Sequence, residues 1–257
     1  PTGSSHARGV TVCPDQRVYA TVGRYIVVAD ADSLKLIGAF PDPFNMDQLN
    51  LPFCVGGDSV LYVTYLNGRF DRTNLRWLPE ITPLALTFGI AQSATDPNLL
   101  YVGEADGYIG IIDRARETRI ASMNLPRDSV DPDERFFDLV TLPNRNKLYA
   151  TRLIDGGLIA VDPTTGAVIA TIPLEQPELG VLARSDAIEP SHDGGVLYVA
   201  LLDAVPRGLL ELDTNTDRPL RRLALDDAVP QELALSPSGV AFLLPLRIVP
   251  VFPRPTC

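Results

Sequence analysis

Five polar side chains, Asn50, Gln92, Asp138, Asp186 and Glu232, recur where a polar stretch of this chain meets a short apolar segment. Three carboxylates with two amide oxygens form a ligand set for a hard cation such as Ca²⁺, Mg²⁺ or Mn²⁺, which prefers oxygen donors at several positions. The plainer account is that the five simply remain solvated. A second acidic group, Asp131, Asp133 and Glu134, is close enough in sequence for mutual repulsion to raise one pKa toward the range of proton transfer. Such a run also serves as an ordinary solvated loop. Other catalytic sets are poorly served, because the only histidines are His6 and His192, which argues against a Ser-His-Asp triad, a Cys-His pair and a His-ligated zinc. No Cys-x-x-Cys, phosphate-cradling glycine loop or dinucleotide fingerprint is present.

The elements that must carry these residues repeat. A short apolar segment with a central aromatic recurs as Val18-Tyr19-Ala20, Leu61-Tyr62-Val63, Leu100-Tyr101-Val102, Leu148-Tyr149-Ala150, Leu197-Tyr198-Val199 and Ala241-Phe242-Leu243. The intervals between the aromatics are 43, 39, 48, 49 and 44 residues, within the range of repeats that build propeller blades. A second series runs in step with the first. Asp30, Asp71, Asp113, Asp162 and Asp213 each follow an apolar run and precede, by seven residues, Ile37, Leu78, Ile120, Ile169 and Leu220. An Asp carboxylate accepts backbone N–H groups two residues on, so these aspartates are expected to close hairpin turns rather than to react. A third series places a proline after the first strand of a repeat, as at Pro14, Pro143 and Pro237. Each repeat therefore reads as four strands, a to d, in an up-and-down meander, with the aromatic on strand b and the Asp closing strand c. Helices are excluded, since no useful window keeps apolar residues at helical spacing and 23 prolines punctuate the chain. A two-layer sandwich would not require near-equal intervals.

The stretch Asn146-Lys147-Leu148-Tyr149-Ala150, followed by Leu158-Ile159-Ala160-Val161-Asp162-Pro163-Thr164-Thr165-Gly166-Ala167-Val168-Ile169, resembles the YVTN repeat. That group of β-propellers includes lactonase-like enzymes and quinoprotein amine dehydrogenase β-chain-like subunits. The resemblance implies an all-β, six-bladed propeller of four-stranded antiparallel blades. Blades are expected over residues 9–43, 44–83, 84–126, 127–174, 175–227 and 228–257, after a disordered or tag-like tail at 1–8. It also implies a candidate metal site, because related six-bladed lactonases hold a cation in the channel mouth, here at Asp138, Asp186 and Glu232. The long d–a crossovers, Pro41 to Asn50, Pro79 to Phe88, Pro126 to Phe136 and Pro173 to Asp186, share that face with the b–c loops, and loops of this length are often functional. Trp77 with Phe70, and Phe136 with Phe137, offer either a binding wall or inter-blade packing.

The last repeat has segments for strands a, b and c only, so either that blade has three strands or the chain has been trimmed. Cys13, Cys54 and Cys257 all belong to the opposite face in this scheme. We expect a Cys13–Cys257 disulfide clasping the ring, worth about 4 to 5 kcal/mol by loop closure; Cys13–Cys54 and three buried free thiols are the alternatives. A disulfide favours an extracellular or periplasmic setting. The start Pro1-Thr2-Gly3-Ser4, with neither Met nor an apolar signal core, reads as a processed or engineered product. The net charge of −10 disfavours nucleic acid and anionic lipid, and no apolar run reaches the length of a membrane span. Small molecules or proteins bound at the acidic loop-rich face are the expected partners, in a binding role or, alternatively, in a metal-assisted lactonase-like hydrolase, lyase or cyclase.

Overall fold

The computed structural model describes residues 7–43, 52–55, 59–64, 68–78, 87–104, 107–125, 136–142, 145–152, 157–176, 181–182, 185, 187–201, 208–224, 232–235, 240–244 and 247–250. These residues form strands and turns throughout. Blade 1 holds β1 (Ala7–Cys13), β2 (Arg17–Val22), β3 (Tyr25–Asp30) and β4 (Leu36–Pro41); blade 2 holds β5 (Pro52–Cys54), β6 (Val60–Val63), β7 (Gly68–Asp71) and β8 (Arg76–Leu78). Blade 3 holds β9 (Thr87–Gln92), β10 (Leu99–Glu104), β11 (Tyr108–Asp113) and β12 (Thr118–Asn124); blade 4 holds β13 (Phe136–Thr141), β14 (Leu148–Arg152), β15 (Leu158–Val161) and β16 (Val168–Ile172). A two-stranded hairpin, β17 (Glu175–Gln176) with β18 (Val181–Leu182), occupies the following crossover. Blade 5 is β19 (Ala187–Pro190), β20 (Val196–Leu201), β21 (Gly208–Asp213) and β22 (Arg218–Ala224), and β23 (Glu232–Leu235), β24 (Val240–Leu244) and β25 (Arg247–Pro250) close the series.

Every sheet is an antiparallel meander in chain order. The first strands of successive sheets lie side by side, with β1 between β23 and β5, and β19 between β13 and β23, so they form the inner wall of a β-propeller. Among the described residues five blades are complete and four-stranded, not the six that the spacing predicted; β23, β24 and β25 make a three-stranded sheet in the sector between blades 5 and 1. The reason lies in the landmark used, because an aromatic on strand b records a hairpin and says nothing of an outer strand. Residues beyond Pro250 lie outside the described residues. At the other end, β1 begins at Ala7, inside the stretch expected to be tail.

The aspartate series closes the c–d turns. Asp71 accepts the N–H groups of Thr73 and Asn74 at 2.9 and 3.1 Å, Asp162 those of Thr164 and Thr165 at 2.8 and 3.3 Å, and Asp213 that of Asn215 at 2.7 Å. These bonds favour the ionised form, and Asp30, Asp71, Asp162 and Asp213 are held below the usual carboxylate range. Four residues after the Asp, the chain turns left-handed at Leu34, Leu75, Glu117, Gly166 and Asp217. Only Gly166 adopts this conformation without steric cost, so the four side chains must gain something there.

What three of them gain is the preceding blade. Leu75 packs on the cluster of Tyr19, Ile26 and Val28; Glu117 pairs with Arg69; and Asp217 receives both Lys147 Nζ, at 2.7 Å, and the Tyr149 hydroxyl, at 2.5 Å. The aromatic face of each of these blades thus looks toward the next blade. Burial and the Asp217 carboxylate push the Tyr149 phenol far above its ordinary value, while burial and the Asp15 bond push Tyr19 up to about 12.

The same alternation corrects the expected clasp. Cys13 is bonded to Cys54, with Cα atoms 5.6 Å apart, and not to Cys257. Cys13 lies two positions beyond Thr11, the residue opposite Tyr19, whereas Cys54 lies one beyond Phe53, the residue opposite Tyr62. One step of register reverses a side chain in a strand. Cys13 therefore looks forward to blade 2 and away from the terminal sheet, and Cys54 looks back.

Candidate functional site

The inner wall leaves a row of backbone N–H groups on the channel side of each first strand, and buried amides of this kind require acceptors. On the seam between blades 4 and 5, Asp138 of β13 supplies one: its Oδ2 accepts Ile188 N–H of β19 at 2.8 Å, while Oδ1 accepts Leu139 N–H at 2.9 Å. Thr151 Oγ1 in turn accepts the Asp138 amide at 2.9 Å, which fixes the backbone beneath the carboxylate. On the next seam, Glu189 of β19 accepts Leu235 N–H of β23. The two carboxyl groups thus stand on neighbouring inner strands and reach forward in the same sense. Burial, with the nearby Asp138 charge added to it, pushes the Glu189 carboxyl up to about 8; the Leu235 N–H opposes the shift without cancelling it.

Glu189 belongs to a polar row across blade 5. The ladder sets Glu189 opposite Tyr198, Tyr198 opposite Glu211 and Glu211 opposite Arg221. Glu211, only 2 % exposed, is held by both guanidinium arms of Arg221, at 2.7 and 2.6 Å, and this pairing raises the Arg221 pKa.

Of the five residues expected at the site, Asp138 and Glu232 share a register, two positions before the residue opposite the blade aromatic. Gln92 does not join them. It lies one position after the residue opposite Tyr101, at the far end of its strand, where Nε2 donates to Pro97 O at 3.0 Å. Its carbonyl accepts Thr141 Oγ1 at 2.6 Å, a further bond between inner strands. Asn50, Asp186, the Asp131–Asp133–Glu134 group, His6 and Cys257 lie outside the described residues. His192 sits exposed in the turn between β19 and β20, away from the site. The Phe70–Trp77 pair is inter-blade packing, with ring centroids 5.6 Å apart beside the blade 1 and blade 2 core. Among the described residues, no group of three or more His, Cys, Asp or Glu side chains is gathered closely enough to hold a metal ion.

Sequence reasoning missed Glu189, although it left a signal. The residues opposite the aromatic on the other first strands are Thr11, Phe53, Ala91, Val140 and Ala234, so a carboxylate in that row is anomalous.

Solved structures share this architecture. Hydrazine synthase of Kuenenia stuttgartiensis superposes with a TM-score of 0.68 at 17% identity, over 94% of this chain and 74% of that one. The Cps50 (Swd1) β-propeller domain of Myceliophteria thermophila gives 0.66 at 12% identity, over 96% of this chain and 84% of its own. Both likenesses are of fold alone. No family model and no curated protein matches the sequence. Among the described residues, no helix is long and apolar enough to cross a membrane.

Proposed function

We propose that this protein is a secreted or surface-displayed binding propeller of the YVTN type that takes a hard divalent cation, or a cationic small molecule or protein, at its acidic channel mouth. The observation that carries the reading is the shared register of Asp138 and Glu232 on the inner strands of blade 4 and the terminal sheet, in a chain of net charge −10. Asp186 and Asn50 belong to the same proposed site by sequence. The Cys13–Cys54 bridge supports an extracellular or periplasmic setting. Metal analysis, with thermal shifts in Ca²⁺, Mn²⁺ and EDTA, tests the cation. A ligand at about 100 times its Kd adds about 2.7 kcal/mol to stability, so a clear rise in Tm is expected, abolished by Asp186→Ala or Glu232→Ala. Absence of any response to Ca²⁺ or Mn²⁺ up to millimolar concentration defeats the cation form of the proposal.

One observation favours a second reading. A carboxyl group raised to about 8, as Glu189 is, suits general acid or base work near neutrality, as a lactonase-like hydrolase, lyase or cyclase would use. Turnover of lactone substrates that falls by more than about a hundredfold in Glu189→Gln, with the fold intact, would decide for it.

A further inference from the structure

On the face that looks back to the preceding sheet, blade 1 departs from the other blades. Cross-strand pairing sets Val12, Val18, Ala29 and Leu36 side by side there. Val18 is buried with Val10 and Ala31, Ala29 is half-buried, and Leu36 is 63 % exposed, so cover is lost outward along the row. The matching rows keep theirs: Leu61 and Phe70 are buried and Trp77 half-buried in blade 2, as are Leu148, Val161 and Val168 in blade 4. Leu34, in the left-handed place that Leu75 holds in blade 2, is likewise 44 % exposed. What covers such a face elsewhere includes an outer strand: Ala170 and Ile172 of β16 pack with Leu197, Leu210 and Leu212 of blade 5. The sheet before blade 1 ends at β25, and among the described residues nothing pairs with its outer edge. Pro250 stands opposite Val240, two before Phe242, the place that the turn aspartate takes in blades 1, 2, 3 and 5. In every complete blade the outer strand faces the residue before that place six residues later, which here falls at Thr256, so the 257 residues hold only the beginning of such a strand.

We propose that this seat, between the outer edge of β25 and the Leu34 and Leu36 face of blade 1, takes a segment of another protein as an added strand. The segment is extended, apolar at alternate positions and basic at its flanks. Space sets the first property, since packed sheets stand about 10 Å apart and a seat of that width admits one strand rather than a folded domain. The β25 edge supplies main-chain hydrogen bonds, and the period of two in a strand directs every second side chain onto Leu34 and Leu36. Those two leucines set the second property, because covering them removes apolar surface from water and extends the core that Val10, Val18 and Ala31 already form. The net charge of −10 sets the third, attracting a basic segment and repelling a second copy of this chain. The seat is built from outer strands, apart from Asp138 and Glu232 on the inner wall, and does not depend on a cation at the channel mouth.

The probe is a synthetic peptide that carries the β16 sequence, Ala-Val-Ile-Ala-Thr-Ile, between paired lysines, added to the isotope-labelled 257-residue protein and followed by NMR. Saturable shifts are expected at Leu34, Leu36 and the amides of β25, with exchange of the β25 amides slowed by about fivefold or more at saturation. Leu36→Ser, at an exposed position that leaves the fold intact, should weaken binding by about tenfold, and a peptide with aspartate in place of its last isoleucine should bind more weakly by at least as much. Three results overturn the proposal: no saturable change up to about 1 mM peptide, a response spread equally over the outer strands β12 and β22, or a Leu36→Ser protein that binds like the wild type. Sedimentation of the protein alone supplies a fourth, since a dimer that Leu36→Ser disperses would mean that a second copy takes the seat.

Discussion

Removing the Cys13–Cys54 bridge is the sharpest test of how the ring is held. The bridged residues are 41 apart in sequence, and closing a loop of that length restricts the unfolded chain by about 4 kcal/mol in the chain-entropy description. Two alanines at these positions forfeit that restriction and leave only small voids, so Cys13→Ala/Cys54→Ala should be less stable by about that amount. For a chain of 257 residues, with an unfolding entropy near 2.1 cal/mol/K per residue, this corresponds to a fall in Tm of about 7 °C. Calorimetry of wild type and double variant without reductant measures it, and adding dithiothreitol should bring the wild type down to the variant. A Tm unchanged by the double substitution would refute the loop-closure reasoning. A non-reduced digest showing Cys257 joined to Cys13 would refute the register argument that places Cys13 facing blade 2.

Asp71→Ala leaves the amides of Thr73 and Asn74 without their carboxylate and should cost about 1 to 2 kcal/mol, read as a lower urea midpoint. Lys147 and Asp217 clamp blades 4 and 5 together, so a double-mutant cycle with Lys147→Ala and Asp217→Ala should give a coupling of about 1 to 2 kcal/mol; a coupling near zero would mean that the left-handed turn is held by other contacts. Arg221→Ala strips the buried Glu211 of its bidentate partner and should cost about 3 kcal/mol, with Arg221→Ala/Glu211→Gln recovering much of it. The pH dependence has two limbs. Aspartates 71 and 213, lowered in the fold, contribute stability above 3.8 that is lost as pH falls, and Glu189, raised in the fold, withdraws stability as pH climbs from 4.5 toward 8, so the urea midpoint should peak near pH 4 to 5; a midpoint rising steadily to pH 8 contradicts the Glu189 assignment.

The fold was legible because the two landmark series record local chemistry. An aromatic central to strand b must pack between blades, and an Asp at the end of strand c must cap a turn, and both requirements recur with every hairpin. Features set by register were not legible. Gln92 was grouped with Asp138 as a residue at the entry of a first strand, but β9 begins at Thr87 and Gln92 ends it, three positions further along than Asp138 relative to the residue opposite the aromatic. Where the strand starts is set by pairing with its neighbour, which spacing along the chain does not record. Cys13 and Cys54 show the reverse. They look equivalent in sequence, and they meet only because they are one step out of phase and face opposite ways.

Glu189 is hard to read from the sequence because most of the carboxylates that stand apart from apolar runs fall in the crossovers, whereas Glu189 sits inside a strand. Inside a strand a carboxylate has to answer for its position, and here the answer is a backbone amide on the next inner strand. A carboxylate carries two oxygens with more than one lone pair each, so Asp138 can hold the amides of Ile188 and Leu139 on separate oxygens.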